Sequence, residues 1–539
     1  MRPVMTLPAV FLASACSFFL NASDKQCSSY SDCGAHGGEF VGAICGRTGV
    51  CRPCTTNKEC IDGLGKAAMC IHPKVECHAR EQSNAEAQID ACTQERSRCQ
   101  VLESVDCKTI LGDPANDDAV LIGSLFSLTG SNALAGLARM KGVENAFKEI
   151  SSVGIPSPGR NARTLVVLEC DEGANVTRAA THLVQDLRVA AIVGPESSQD
   201  TTDVSHISIP SGTLLISPSA TSKRITDLVD NDLVWRTAPS DVLQTQVLVD
   251  QLAALESAFV TAHPNTKTKV AFVYSEDDYG RDLLDLIFAK AKLNGKALDD
   301  AENQSQILKL NYPHNAENLQ AQVSQVLAAA PRPAIVVGLG SREIASKFLT
   351  PLEAGWGAEP PPEYLFSDAV HKQELLDAVS DDRLRKRVRG TIPAPQATAA
   401  FHAFVAKYGT PQVLGVAGAY DSMFLITYAL VDPPKVVTGD VIQKGFRYLV
   451  DGPKVDVGGA NLSMGFQALF ARTDGGAAAT FNFEGASGPL DFDLDRGEAP
   501  SNIEVWCIGT DQGKPVFGAS GRYYDASRAE IIGSFTPCN

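Results

Sequence analysis

An α/β protein of two lobes, each a parallel sheet flanked by helices, with a small disulfide-rich module in front, is the fold class this sequence predicts. Three features predict it. Eleven of the fifteen cysteines fall between Cys27 and Cys107. From about residue 118, short apolar strands alternate with amphipathic helices. That alternation reaches about residue 237 and then restarts, and two consecutive βαβα series imply two lobes. The length of 539 residues also exceeds one ordinary domain.

Residues 1–15, MRPVMTLPAVFLASA, read as an export signal: one Arg, an apolar run, then Ala13-Ser14-Ala15. Cys16 follows at once, so the leader resembles a lipoprotein signal in which Cys16 is lipidated. A plain cleaved signal is the alternative. No other apolar run reaches the ~20 residues of a membrane helix. Residues 16–77 form the Cys-rich module. Its spacing repeats as Cys27-x5-Cys33-x11-Cys45-x5-Cys51 and Cys54-x5-Cys60-x9-Cys70-x6-Cys77, with few apolar residues between. Such modules are held by disulfides in place of a core. Zinc, suggested by Cys51-Arg-Pro-Cys54, is the competing reading, but no second CxxC follows at finger spacing. The third cluster, Cys92, Cys99 and Cys107, is odd in number. This leaves one member to reach Cys170, and Cys507 to pair with Cys538. Residues 78–117 are polar and read as a short helix and linker.

The first lobe opens over 118–237, with strands at 119–126, 164–169, 190–194 and 213–217. Met140, Val143, Phe147 and Ile150 mark one face of its first helix. Residues 233–241, LVWRTAPSD, read as a crossing segment. The second lobe, 238–393, has strands at 269–275, 307–310, 334–338 and 364–368. Residues 394–488 complete the first lobe, with a helix at 419–430, and 489–539 complete the second. Strand ends then face a cleft, where ligands bind in such sheets.

A net charge of −16 argues against nucleic acid as partner, because phosphate binding needs a basic surface. The one basic cluster, RLRKRVRG at 383–390, reads as a solvated loop or strand approach. There is no Gly-x-Gly-x-x-Gly and no P-loop, so no cofactor is expected. The nine His form no metal spacing and none sits beside a nucleophile, so no metal or catalytic site is expected.

Hydroxyls cluster at two strand ends. LLISPSATSKRITD carries Ser217, Ser219, Thr221 and Ser222; VGPESSQDTT carries Ser197, Ser198, Thr201 and Thr202. Helix caps account for part of each. A nucleophilic Ser-x-x-Lys fails, because Ala220 stands three before Lys223. Helix N-terminal amides beside hydroxyls suit a carboxylate. In the second lobe, Tyr279 in SEDDYGRD and Asp368 at the end of YLFSD are candidate ligand contacts; Asp277 and its acidic neighbours read as caps.

In order and spacing, IGSLFSLTGSNALAGLARMKGVENAFKEI, AAIVGPESSQ, LLISPSATS, VWRTAPSD, VAFVYSEDDYGRDL, AYDSMFLITYAL and SGPLDFDLDRG resemble the type I periplasmic binding proteins. The likeness is to their branched-chain amino acid branch and spans about 118–525. It implies a two-lobed fold that captures a small ligand by closing around it. It also implies that Ser198 and Thr221 bind a carboxylate and that the main chain at Ser219 orients an amine. Asp241 would lie at the crossing, Tyr279 would contact ligand from the second lobe, and Asp368 would take the amine. Ser197 stands where some members have Cys, and Gly338-Leu339-Gly340 where amino-acid binders often supply an aromatic. The expected protein is a non-enzymatic solute-binding protein of the bacterial envelope, joined to the membrane only by lipid, serving an ABC permease. A sensing ectodomain of the same fold is the alternative, and an envelope hydrolase ranks behind both.

Overall fold

The computed structural model describes residues 25–72, 97–157, 161–379, 381–394, 398–431, 436–470 and 480–539. The expected signal at 1–15, Cys16, Cys77 and Cys92 lie outside them. The chain divides into two units, Met1–Val101 and Leu102–Asn539.

The first unit repeats one plan twice. Helix Tyr30–Ala35 carries Cys33 and precedes the hairpin of Ile44–Cys45 and Cys51–Arg52. Helix Asn57–Leu64 carries Cys60 and precedes the hairpin of Ala68–Ile71 and Arg98–Val101. In each copy the Cys before the helix bonds the first hairpin strand, as Cys27–Cys45 and Cys54–Cys70. The helix Cys bonds the second strand, as Cys33–Cys51 and Cys60–Cys99. The second copy is therefore completed by Cys99, far beyond the expected end at Cys77. The linker expected over 78–117 does not hold for its described part: 98–101 is a hairpin strand and Cys107–Leu111 a strand of the second unit. Polar composition concealed both, because ladders and disulfides can hold residues that bury little apolar surface. Zinc fails as well. The sulfurs of Cys27, Cys33 and Cys51, and of Cys54, Cys60 and Cys70, do cluster. Each is spent in a disulfide, whereas zinc needs thiolates.

The second unit holds both lobes. The first sheet runs in the order Val234–Arg236, Leu214–Ser217, Ala191–Val193, Val120–Phe126, Leu165–Asp171, Cys107–Leu111. All neighbours are parallel except the last pair, where Cys107 bonds Cys170 across the antiparallel edge. The second sheet runs Ile307–Tyr312, Val270–Ser275, Ile335–Leu339, Glu363–Phe366, Val388–Ala394 in parallel. Three antiparallel strands follow, Asn502–Asp511, Lys514–Asp525 and Glu530–Ile532. Cys507 bonds Cys538 beside them. Each lobe thus has the expected parallel core, and each gains antiparallel strands that were not expected.

Three expectations need correction. Val234–Arg236 is an edge strand, paired with Leu214–Ser217, before the crossing begins at Thr237. Leu490, Phe492 and Ala499 pack in the first-lobe core, so the last crossing comes near 501 and not at 489. RLRKRVRG is the strand approach of its two readings, since it runs into Val388–Ala394, but Arg385 is buried and donates to Ile508 O, and Arg387 pairs with Glu353 at 2.5 Å, so neither is solvated. The first core is centred on Val416–Ala429, buried all round, against Ala133–Ser151. Their close approach needs Gly142, where a Cβ would stand 2.4 Å from Val416 O.

Candidate ligand-binding site between the lobes

The strand ends build the site because each apolar strand stops at a residue that leaves the ladder. Leu214–Ser217 ends before Pro218, which lacks an amide hydrogen. Ala191–Val193 ends before Gly194 and Pro195. The loops that follow are stitched together by hydroxyls. Ser198 Oγ accepts from the amides of Thr221 (3.3 Å) and Ser222 (3.1 Å). Ser219 Oγ donates to Glu196 O at 2.8 Å, and Ser217 Oγ to Pro195 O at 2.6 Å. Ser197 caps helix Ser198–Ser208 by accepting from Asp200 N, and donates its own proton to Asp200 Oδ2 at 2.6 Å. Ser222 caps helix Lys223–Thr226. Capping thus accounts for Ser197 and Ser222, while the Ser198 hydroxyl hydrogen meets no acceptor among the described residues.

A cavity of about 90 Å³ lies between these loops and the second lobe. At ~10–15 Å³ per water, that holds several water-sized groups. Ser197, Ser198, Ser219, Thr221, Tyr279 and Asp368 all line it. Asp241 does not: it lies behind Thr221, whose hydroxyl donates to Asp241 Oδ2 at 3.1 Å. Burial, then the nearby Asp368, pushes the Asp241 pKa well up. From the second lobe, Tyr279 OH donates to Asp368 Oδ1 at 2.5 Å, and Gln244 Nε2 donates to the same oxygen at 2.8 Å. Burial raises the Asp368 pKa, and these bonds oppose it. Asp277 caps helix Asp278–Lys290, as expected, and also pairs with His314. Burial pulls the His314 pKa down, but the Asp277 bond and charge raise it overall.

The sequence reading missed the cations. Arg139 NH1 meets Glu196 Oε2 at 2.9 Å with both side chains buried, and Arg139 Nε donates to Leu414 O at 2.9 Å. Lys372 Nζ donates to Ser341 Oγ at 2.8 Å and makes no ion pair among the described residues. Burial lowers its pKa. Glu343 accepts from Tyr312 OH at 2.7 Å and from Ser341 N at 2.8 Å. A signal existed for Arg139: it falls on the buried stripe with Ala135, Val143, Ala146 and Ile150. Lys372 follows Asp368 by four residues in the same strand-end loop, and nothing in its surroundings marked it.

The arrangement opposes donors to acceptors. Ser198 O–H and the Lys372 ammonium can donate to a carboxylate, and Asp368 and the unpartnered, buried Asn132 Oδ1 can accept from an amine. The cleft is closed by contacts at its rim. Arg224 of the first lobe meets Asp282 at 2.9 Å and Asp278 at 3.2 Å, and Ser222 Oγ also donates to Asp282.

Comparison with known proteins gives the same picture. A Halobacterium salinarum protein named chemotactic signal transduction system substrate-binding protein BasB is 30% identical over 178 residues. That is 31% of this chain and 42% of that protein, so the chain spans under half of it. The Leu/Ile/Val-binding protein homolog 8 of Brucella abortus is 24% identical over 302 residues, covering 54% of this chain and 70% of that one. Two solved structures share the fold. LivJ of Streptococcus pneumoniae, a branched-chain amino acid transporter substrate binding protein in complex with isoleucine, superposes with a TM-score of 0.52. It has 20% identity and covers 74% of this chain and 99% of that one. A solute binding protein of R. palustris in complex with 4-hydroxybenzoate gives a TM-score of 0.53. Its identity is 13%, with coverage of 74% and 96%. These are binding proteins by name, of the type I periplasmic class that the sequence blocks resembled. Residues 138–509 match the family described as "Receptor family ligand binding region", and the chain belongs to that family.

Proposed function

We propose that this protein is an extracytoplasmic solute-binding protein that captures a small polar carboxylate, an amino acid or a related acid, between its lobes. It delivers the ligand to an ABC permease, from a position in the envelope tethered through Cys16. The observation that carries this reading is the polar cavity, where Ser198, Ser219 and Thr221 of one lobe face Tyr279, Asp368 and Lys372 of the other. Ligand carboxylate would meet Ser198 and Lys372, and a ligand amine would meet Asp368. The names of the Brucella and Streptococcus proteins support the ligand class. A thermal-shift panel of free amino acids and small carboxylates tests it. At a hundredfold excess over Kd, binding adds ~2.7 kcal/mol, enough for a shift of several degrees. A folded protein that shifts with none of them overturns the reading.

A sensing role has support of its own in the chemotactic name of the halobacterial relative. A permease gene beside this one would favour transport, and a kinase or chemotaxis transducer gene would favour sensing.

A further inference from the structure

We infer that the protein carries a second small-molecule site, at the hinge, that takes an amine with an aromatic or alkyl body. A cavity of about 320 Å³ lies where the segments 237–239, 392–394 and 501–504 pass between the lobes. It shares only His371, Val413 and Leu414 with the polar cavity, and none of the proposed ligand contacts there. Its walls are apolar and aromatic. Trp506 and Phe517 stand edge to face at 5.3 Å, and His371 stacks on Phe517 with ring centroids 3.5 Å apart. Phe401 and Pro218 face them from the first lobe.

The chemistry of the ligand follows from the few polar groups. Glu504 is the one carboxylate on the wall, and no Lys or Arg lines it. Among the described residues that carboxylate has neither ion pair nor hydrogen bond, and burial raises its pKa. Glu504 and Trp506 share a strand face at a two-residue spacing, and the ladder shifts register between them. Thr237 Oγ1 and His371 Nδ1 are buried on the same cavity and meet no partner among the described groups. Burial holds the His371 pKa near 4, so the ring is neutral at pH 7 and contributes no positive charge. An ammonium satisfies this set. It pairs with Glu504, donates to Thr237 Oγ1, and lies against aromatic faces that attract cations. A carboxylate would meet Glu504 with nothing to offset the repulsion.

Calorimetry on the full chain, with 2-phenylethylamine as probe and 2-phenylethanol and phenylacetate as its neutral and anionic counterparts, tests the proposal. The amine is expected to bind one to one and more tightly than the alcohol, with no binding of phenylacetate at this site. Glu504→Gln should weaken the amine roughly tenfold or more, and Thr237→Val several-fold. Circular dichroism verifies that both variants are folded. The proposal is overturned if the folded protein gives no heat with the amine, or if the alcohol binds equally well. It is also overturned if Asp368→Asn removes amine binding while Glu504→Gln keeps it, which would place the amine in the polar cavity. A failed carboxylate panel leaves this test intact, because the Glu504 and Asp368 variants, and not the panel, assign the amine to its cavity.

Discussion

Lys372 is a half-buried ammonium that makes no ion pair among the described residues, while the charges of Glu196 and Glu343 on the same cavity act on it, so a ligand carboxylate would be its direct partner. Lys372→Met should therefore weaken the best carboxylate of the panel about tenfold or more, while leaving the unliganded Tm equal or higher. A Tm that falls together with affinity would mean the ammonium is structural. Thr221 behaves differently, because its hydroxyl serves the buried Asp241. Thr221→Ala should lose ~1–3 kcal/mol of stability as well as affinity, and Thr221→Ser should restore both. Glu169 provides a test by pH. It is 5% exposed, and burial, then Glu144, raises its pKa from 4.5 to about 7. Below pH 4.5 both folded and unfolded chains hold the proton. Between pH 4.5 and 7 the unfolded chain releases it first, so stability falls as pH rises. Glu169→Gln should gain on the order of 2–3 kcal/mol at pH 8 and nothing at pH 4, measured by denaturant melts. The hydroxyl residues of the site were legible because strand-end position and residue type coincide. Lys372 was not, since its place on the cavity wall comes from the tertiary fold and not from its sequence neighbours.

At the scale of elements, a strand-end loop of the first lobe meets helix Asp278–Lys290 of the second across the cleft. Arg224 sits on a helix of one turn, Lys223–Thr226, and reaches across to Asp278 and Asp282. The Arg224 side chain is half exposed, so the ion pair alone is worth ~0.2–1 kcal/mol. The Ser222 hydroxyl on the buried side of Asp282 adds to it. Asp282→Ala should bias the lobes open and raise Kd several-fold without touching ligand. Small-angle scattering of the liganded variant that matches the parent, with Kd unchanged, would sink that role. Most of the parallel strands were readable from period alone, as at Val270–Ser275 against 269–275, whereas the parallel strand Val388–Ala394, entered through the basic cluster, was not among those expected. The edge strands Val234–Arg236 and Cys107–Leu111 were not, because three to five residues of mixed polarity carry no period. Their identity comes from the neighbour they pair with.

At the scale of the molecule, the disulfides couple distant segments. Cys107 and Cys170 are 63 residues apart, a loop whose closure in the unfolded chain costs about 4 kcal/mol in the chain-entropy account. Replacing both by Ser should lower the denaturation midpoint by a comparable free energy, and an unchanged midpoint would show the cross-link to be dispensable. The two-lobe plan, the disulfide-held module and the hydroxyl-rich cleft wall were set by sequence itself. They rest on local periodicity, cysteine spacing and residue type at strand ends, all short-range properties. Tertiary structure alone decided which Cys completes the second repeat, where the final crossing lies, and that Asp241 stands behind the cavity instead of in it. It also brought Lys372 into the cleft and Glu504 into an aromatic pocket beside the hinge. Those outcomes depend on which residues meet across hundreds of positions, and burial and pairing exist only once they have met.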